Sequence, residues 1–132
     1  MPNRREAIAP TVERIAQFLD PLPLDPDQRA NLCVAIAEGL SNAVVHGNTQ
    51  SPQRPVLVAC CLELGHRATV DVRDFGRGFD VASLLDCRDA DRVLAPSGRG
   101  VFLMRHLVDD VAFNRRGNRV RLTVRARGLE PL

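Results

Sequence analysis

The stretch AEGLSNAVVHGN, Ala37 to Asn48, decides how the rest of the chain is read. Glu38, Asn42 and His46 follow one another at intervals of four, so on a helix they share one face. Leu32, Ile36, Leu40 and Val44 have the same spacing and supply an apolar stripe beside them. The polar row therefore borders a core rather than facing open water. A solvated edge of an ordinary amphipathic helix would carry the same three residues, so the stripe alone does not choose between structure and chemistry.

Working outward, Asp25 followed by Pro26 and Gln28 is a strong helix start: a cap, a proline in the first turn and a capping-box partner three residues on. The helix is expected from about Pro26 to His46, ending at Gly47. Upstream, Ile8, Val12, Ile15, Phe18 and Leu19 mark a first amphipathic helix over Arg4 to Leu19, stopped by DPLPLDP. Downstream, VLVACCLEL and RATVDVRD read as two strands around a turn at Gly65 and His66. In the second strand Val70, Val72 and Asp74 fall on one face and Thr69, Asp71 and Arg73 on the other. After FGRGFD and a segment without firm periodicity, SGRG opens a third helix with Val101, Met104, Leu107 and Val108 on one side. A hairpin closes the pattern: DVAFNRR, a turn at Gly117 and Asn118, and RVRLTVRAR. The sum is an α+β fold, a two-layer α/β sandwich in which helices cover one face of a mostly antiparallel sheet and the other face is polar.

Composition bounds the function. With 132 residues, 45% apolar and 26% charged, the expectation is one soluble domain over residues 1–132. No apolar run reaches bilayer length and no signal-peptide pattern opens the chain, so a cytoplasmic location without a membrane contact is expected. A net charge of +2 does not argue for nucleic acid, and the arginine row on the last strand reads first as protection of an exposed strand. All basic residues are arginines, which excludes a lysine-bearing P-loop and the protein-kinase strand lysine. Cys33, Cys60, Cys61 and Cys87 have no zinc spacing. Cys60 and Cys61 should point to opposite faces of a strand.

Asp74 turns the stripe toward a ligand. A carboxylate at a strand end on the covered face is costly to bury without donors, and an amino group of a ligand is such a donor. Gly76 and Gly78 follow, where a flat ring or phosphates could approach the backbone. Gly98 and Gly100 precede the third helix, whose N-terminus suits phosphate, with Arg99 between them. Each glycine pair is an ordinary turn signal; with Asp74 and the stripe they outline a nucleotide pocket.

EGLSNAVVHGN, DFGRGFD and SGRGVFLMRHLVDDV, in that order, resemble the three ATP-binding boxes of the GHKL ATPase superfamily, shared by DNA gyrase subunits, a heat-shock chaperone class and histidine kinases. The set is most similar to bacterial anti-sigma-factor serine kinases, the switch proteins of sporulation and general stress response, over about Asp25 to Thr123. The resemblance implies ATP and Mg²⁺, with Asn42 as the metal ligand and Glu38 as the general base. It assigns Asp74 to the adenine amino group, with Gly76 and Gly78 in the loop against the base. Ser97, Gly98, Arg99, Gly100 and Val101 would close over the phosphates, His46 would lie near the nucleotide, and the lid would span about residues 80–97. The implied partners are a sigma factor and an anti-sigma-factor antagonist of STAS type, with a homodimer as one assembly state and no direct nucleic-acid contact.

Two departures stand out. Relatives open on a strand before the first helix, whereas helix-like sequence here starts almost at Met1, and the lid is short. The reaction implied is ATP-dependent phosphorylation of a partner serine. A kinase-inactive ATP-binding module that only holds a partner is the competing reading, and Glu38, one turn before the metal ligand, argues against it. A plain nucleic-acid-binding domain using the arginine row is a third.

Overall fold

The computed structural model describes residues 1–48, 52–76 and 96–127. Its centre is helix α2 (Pro26–Asn42), which starts where the sequence says it should. Asp25 is extended, its carboxylate accepts from the Gln28 amide at 2.7 Å, and the Gln28 side-chain oxygen accepts from the Asp25 amide at 3.2 Å. Helix α1 (Ile8–Phe18), preceded by a 3₁₀ turn at Arg5–Ala7, packs beside it. The expected α-helix to His46 is corrected at its end: Ala43–Gly47 is a π-helical turn. Such turns add a residue to the hydrogen-bonded loop and recur at functional sites.

Four strands form one antiparallel sheet among the described residues: β1 (Leu57–Glu63), β2 (Arg67–Arg73), β3 (Asp110–Phe113) and β4 (Arg119–Arg125), in the order β1-β2-β4-β3. The register pairs Val70 with Leu122 and Val72 with Val120, and these side chains build the inner face. Leu32, Ile36 and Leu40 of α2 and Val101 and Met104 of α3 (Pro96–Leu107) close over it, all buried. The α+β two-layer sandwich is thus the fold observed, because period-2 and period-3.6 apolar patterns each present one face to the same core. Gln28, buried beneath the start of α2, also donates from its amide to the Arg125 carbonyl at 2.8 Å and so ties that helix end to β4.

The outer face is largely polar. Asp71 receives Arg121 at 2.8 Å and Arg119 at 2.8 Å, so two members of the arginine row are tied to an acid on the next strand. The hydrogen bond from Arg121 holds the Asp71 carboxyl below the usual carboxylate range, against an opposing effect of burial and with Arg119 adding to the lowering. Cys60 and Cys61 do face opposite ways: Cys61 is exposed, and Cys60 is half-buried against the core, where burial pushes its thiol up. Met1 lies beside the chain just before β1, its amino group donating to the Val56 carbonyl and its carbonyl accepting from the Val56 amide, both at 2.9 Å. The opening residue therefore pairs in strand fashion although the sequence pattern there is helical.

The Gln28 bridge gives a test of the fold. Gln28→Glu keeps the capping-box acceptor but cannot donate to Arg125 and places a carboxylate in a buried site. It should destabilise by about 1–3 kcal/mol in urea unfolding at neutral pH. Stability equal to wild type would show that the cap, not the bridge, is what Gln28 contributes.

Candidate functional site

Glu38 and Asn42 lie on one edge of α2, both half-buried, as a row bordering the core requires. Gly100, in the first turns of α3, sits directly against them. A Cβ built there would stand 3.1 Å from the Asn42 amide nitrogen and 3.2 Å from the Glu38 carboxylate oxygen. Tertiary packing thus brings the second glycine pair to the polar stripe, a juxtaposition that sequence spacing cannot give. The pair was expected just before the third helix. Instead α3 already begins at Pro96, so Ser97, Gly98, Arg99 and Gly100 are its first turns and buried Val101 follows within it. A helix start offers free backbone N–H groups and the positive end of the dipole, here aimed from the element that also carries Gly100.

Asp74 follows β2 directly and is half-buried. Its amide donates to the Asn118 carbonyl at 2.9 Å, and one carboxylate oxygen accepts from the Gly76 amide at 2.7 Å. The carboxylate lies over the end of the π turn. A Cβ at Gly47 would be 2.3 Å from the Asp74 carboxyl carbon, and one at Gly76 would be 2.0 Å from the Gly47 carbonyl oxygen. No side chain fits at either position, so both glycines are required by close approach of backbone and carboxylate. Burial pushes the Asp74 carboxyl above the usual carboxylate range, with the Gly76 N–H partly opposing it.

The two clusters occupy the same continuous rod, α2 and its π turn: Glu38, Asn42 and Gly100 along its side, and Gly47, Asp74 and Gly76 at its end. His46 lies in the π turn and is exposed, because the wider turn carries it off the α-helical register of Glu38 and Asn42. Gly78, Cys87 and the stretch expected as a lid, about 80–97, lie outside the described residues, except that Pro96 and Ser97 belong to α3. Among the described residues, no group of three or more His, Cys, Asp and Glu side chains converges to hold a metal. Mg²⁺ fits Asn42 nonetheless, since this ion is commonly held by one or two protein oxygens together with substrate phosphates.

Sequence reading gave Asn48 and Asn114 no role and Asn118 only a place in the turn. Asn48 is fully buried and accepts from the Phe75 amide at 2.8 Å. Asn114 gathers the amides of Gly117, Asn118 and Arg119 onto one oxygen and so shapes the hairpin whose Asn118 carbonyl holds Asp74. Their signal was only that of turn-forming asparagines.

The raised pKa of Asp74 fixes the sign of a pH effect. The folded protein favours the protonated acid, so the stability this group contributes is full below the usual carboxylate value and is lost as pH rises through the higher folded value. Asp74→Asn keeps an oxygen for the Gly76 amide and removes the ionisation. At pH 7 the variant should unfold at higher urea than wild type, and the difference should vanish once pH falls below about 4. A variant less stable than wild type at pH 7 would contradict the burial cost.

Comparison with known proteins places the fold. A family model described as a histidine kinase-like ATPase domain matches residues 1–124. The anti-sigma F factor of Bacillus subtilis is 27% identical over 116 residues, covering 83% of this chain and 77% of that protein. That of Heyndrickxia coagulans is 26% identical over 113 residues, covering 83% and 74%. That of Anoxybacillus flavithermus is 26% identical over 101 residues, covering 74% and 67%. With the family model spanning nearly the whole chain and both polar clusters carried by its central helix, this chain belongs to the histidine kinase-like ATPase domain family.

Proposed function

We propose that the protein is an ATP- and Mg²⁺-dependent serine protein kinase that acts as an anti-sigma factor, holding a sigma factor and phosphorylating a STAS-type antagonist on serine. The observation that carries the reading is the meeting of Glu38 and Asn42 at the side-chain-free position of Gly100, on the same rod that ends under Asp74. The similarity to anti-sigma F factors supports the choice of partners.

On this reading Asp74 accepts a hydrogen bond from the exocyclic amino group of adenine, and Gly47 and Gly76 let the carboxylate seat closely against the end of the π turn. The first turn of α3, with Ser97 and Gly98 among the positions whose N–H groups have no intrahelical acceptor, faces the phosphates on this reading. Mg²⁺, when bound through Asn42, supplies charge neutralisation at the phosphate oxygens. The serine oxygen of the partner attacks the γ-phosphorus, the bond to ADP breaks, and the hydroxyl proton passes to Glu38. Support for this role is that Glu38 stands one turn before Asn42 on the same edge and, with it, lies against Gly100. Arginine and the helix dipole replace the lysine that the chain lacks.

Calorimetric titration with ATP, with and without Mg²⁺, tests the first half. Wild type should bind ATP more tightly with Mg²⁺, and Asp74→Asn, which turns an acceptor toward a donor-bearing amide, should lose about tenfold or more. Labelled-phosphate transfer to a STAS-type antagonist tests the second. Glu38→Gln should keep ATP affinity within about twofold and lose roughly 10²–10⁴ in transfer rate. Equal transfer by the variant would remove the base from Glu38, while ATP binding without transfer by wild type would favour a module that only holds its partner.

A further inference from the structure

The end of the π turn is fastened by one side chain. Asn48 is fully buried, and among the described residues its side chain bonds backbone groups of other segments. Its oxygen accepts from the Phe75 amide at 2.8 Å, and its nitrogen donates to the carbonyls of Arg54 and Pro55, each at 3.2 Å. That pattern fixes the orientation of the amide, because only an oxygen can receive the Phe75 N–H and only an NH₂ can serve two carbonyls. The same knot is closed from outside by the Arg54 guanidinium, 4.7 Å from the centre of the Phe75 ring.

Phe75 stands between Asp74 and Gly76, the two residues joined by the carboxylate-to-amide bond. Asn48 follows Gly47 directly, the residue over which the Asp74 carboxylate rests. Anchoring the Phe75 amide therefore fixes the backbone on both sides of Asp74 relative to the end of α2. Hairpin contact through Asn118 holds the Asp74 amide from the opposite side. Among the described residues, Asn48 is the side chain that hydrogen-bonds the 74–76 backbone from the end of the π turn, where backbone and carboxylate are pressed closer than a side chain would permit.

We infer that Asn48 is a positioning residue, which ties the Asp74–Gly76 segment and the 54–55 segment to the end of α2 and thereby sets where the Asp74 carboxylate meets the adenine amino group. The inference rests on the nucleotide reading of Asp74 for its functional half, while the hold of Asn48 on Asp74 stands on the ligand-free geometry. The consequence is base selectivity: loss of the anchor weakens the contact that distinguishes adenine, and leaves phosphate contacts at α3 in place.

Two measurements on Asn48→Ala test it. In hydrogen exchange without nucleotide, the Gly76 amide, which donates to Asp74, should exchange at least about tenfold faster, while amides of Val70 and Leu122 in the sheet keep wild-type protection. In titrations with ATP and with purine riboside triphosphate, which lacks the amino group, ATP affinity should fall about tenfold and that of the analogue by less than about twofold. Asn48→Asp, which keeps the oxygen facing Phe75, should retain most of the ATP preference even where it lowers stability. Unchanged Gly76 exchange, or an equal loss for both nucleotides, would overturn the inference and leave Asn48 a general support of the fold. Should wild type itself fail to prefer ATP, the adenine assignment of Asp74 falls, and the Gly76 exchange alone then decides whether Asn48 holds that carboxylate.

Discussion

Everything in this protein is referred to the seating of α2 on the inner face of the sheet. Leu32, Ile36 and Leu40 are buried against β2 and β4, and Gln28 fastens the helix start to the end of β4 through the Arg125 carbonyl. Burying three such side chains contributes on the order of 5–9 kcal/mol by transfer alone, against the entropy of ordering them. A helix fixed in rotation by that face must carry its next residues, Glu38 and Asn42, at the border of the core. The same seating delivers the π turn to the end of β2, where Asp74 emerges.

The candidate site is made by absence of side chains as much as by their presence. Gly100 lets α3 approach the Glu38–Asn42 edge closely, and Gly47 and Gly76 let two backbone segments and a carboxylate approach within distances that any Cβ would forbid. Close approach of this kind has an electrostatic consequence. Asp74 is half-buried with one N–H donor from Gly76, too little to offset the loss of water, and its acid is pushed up. This residue therefore lowers stability at neutral pH, the pattern expected of a polar group placed for something other than the fold.

On the opposite face the same chemistry has the opposite outcome. Asp71 meets Arg119 and Arg121 across the β2–β4 register, gains donors, and has its acid held down. Two aspartates only three residues apart differ because strand alternation sends them to different sides of the sheet, one to a row of arginines and one to the covered edge. The arginine row, read from the sequence first as protection of an exposed strand, is partly occupied by this internal pairing.

Much of this was legible in the chain. The start of α2 was fixed locally, since Asp25, Pro26 and Gln28 satisfy the first turn without any distant partner. The strands and their faces followed from alternation, and the order of three motifs pointed to the family because each box has its own residue types and spacing. Other features were beyond local reading. The π turn, which moves His46 off the stripe, and the helical start at Pro96 depend on how these segments pack. Spacing along a helix could place Glu38 and Asn42 on one face, but only the fold could set Gly100 against them. The buried amide of Asn48 is the sharpest case. By itself the sequence determined the helices, the strand faces and the residues able to do chemistry, since those follow from periods and from local hydrogen bonds. Tertiary structure alone decided which glycines meet which carboxylates and where Asn48 is spent, because those contacts join residues tens of positions apart.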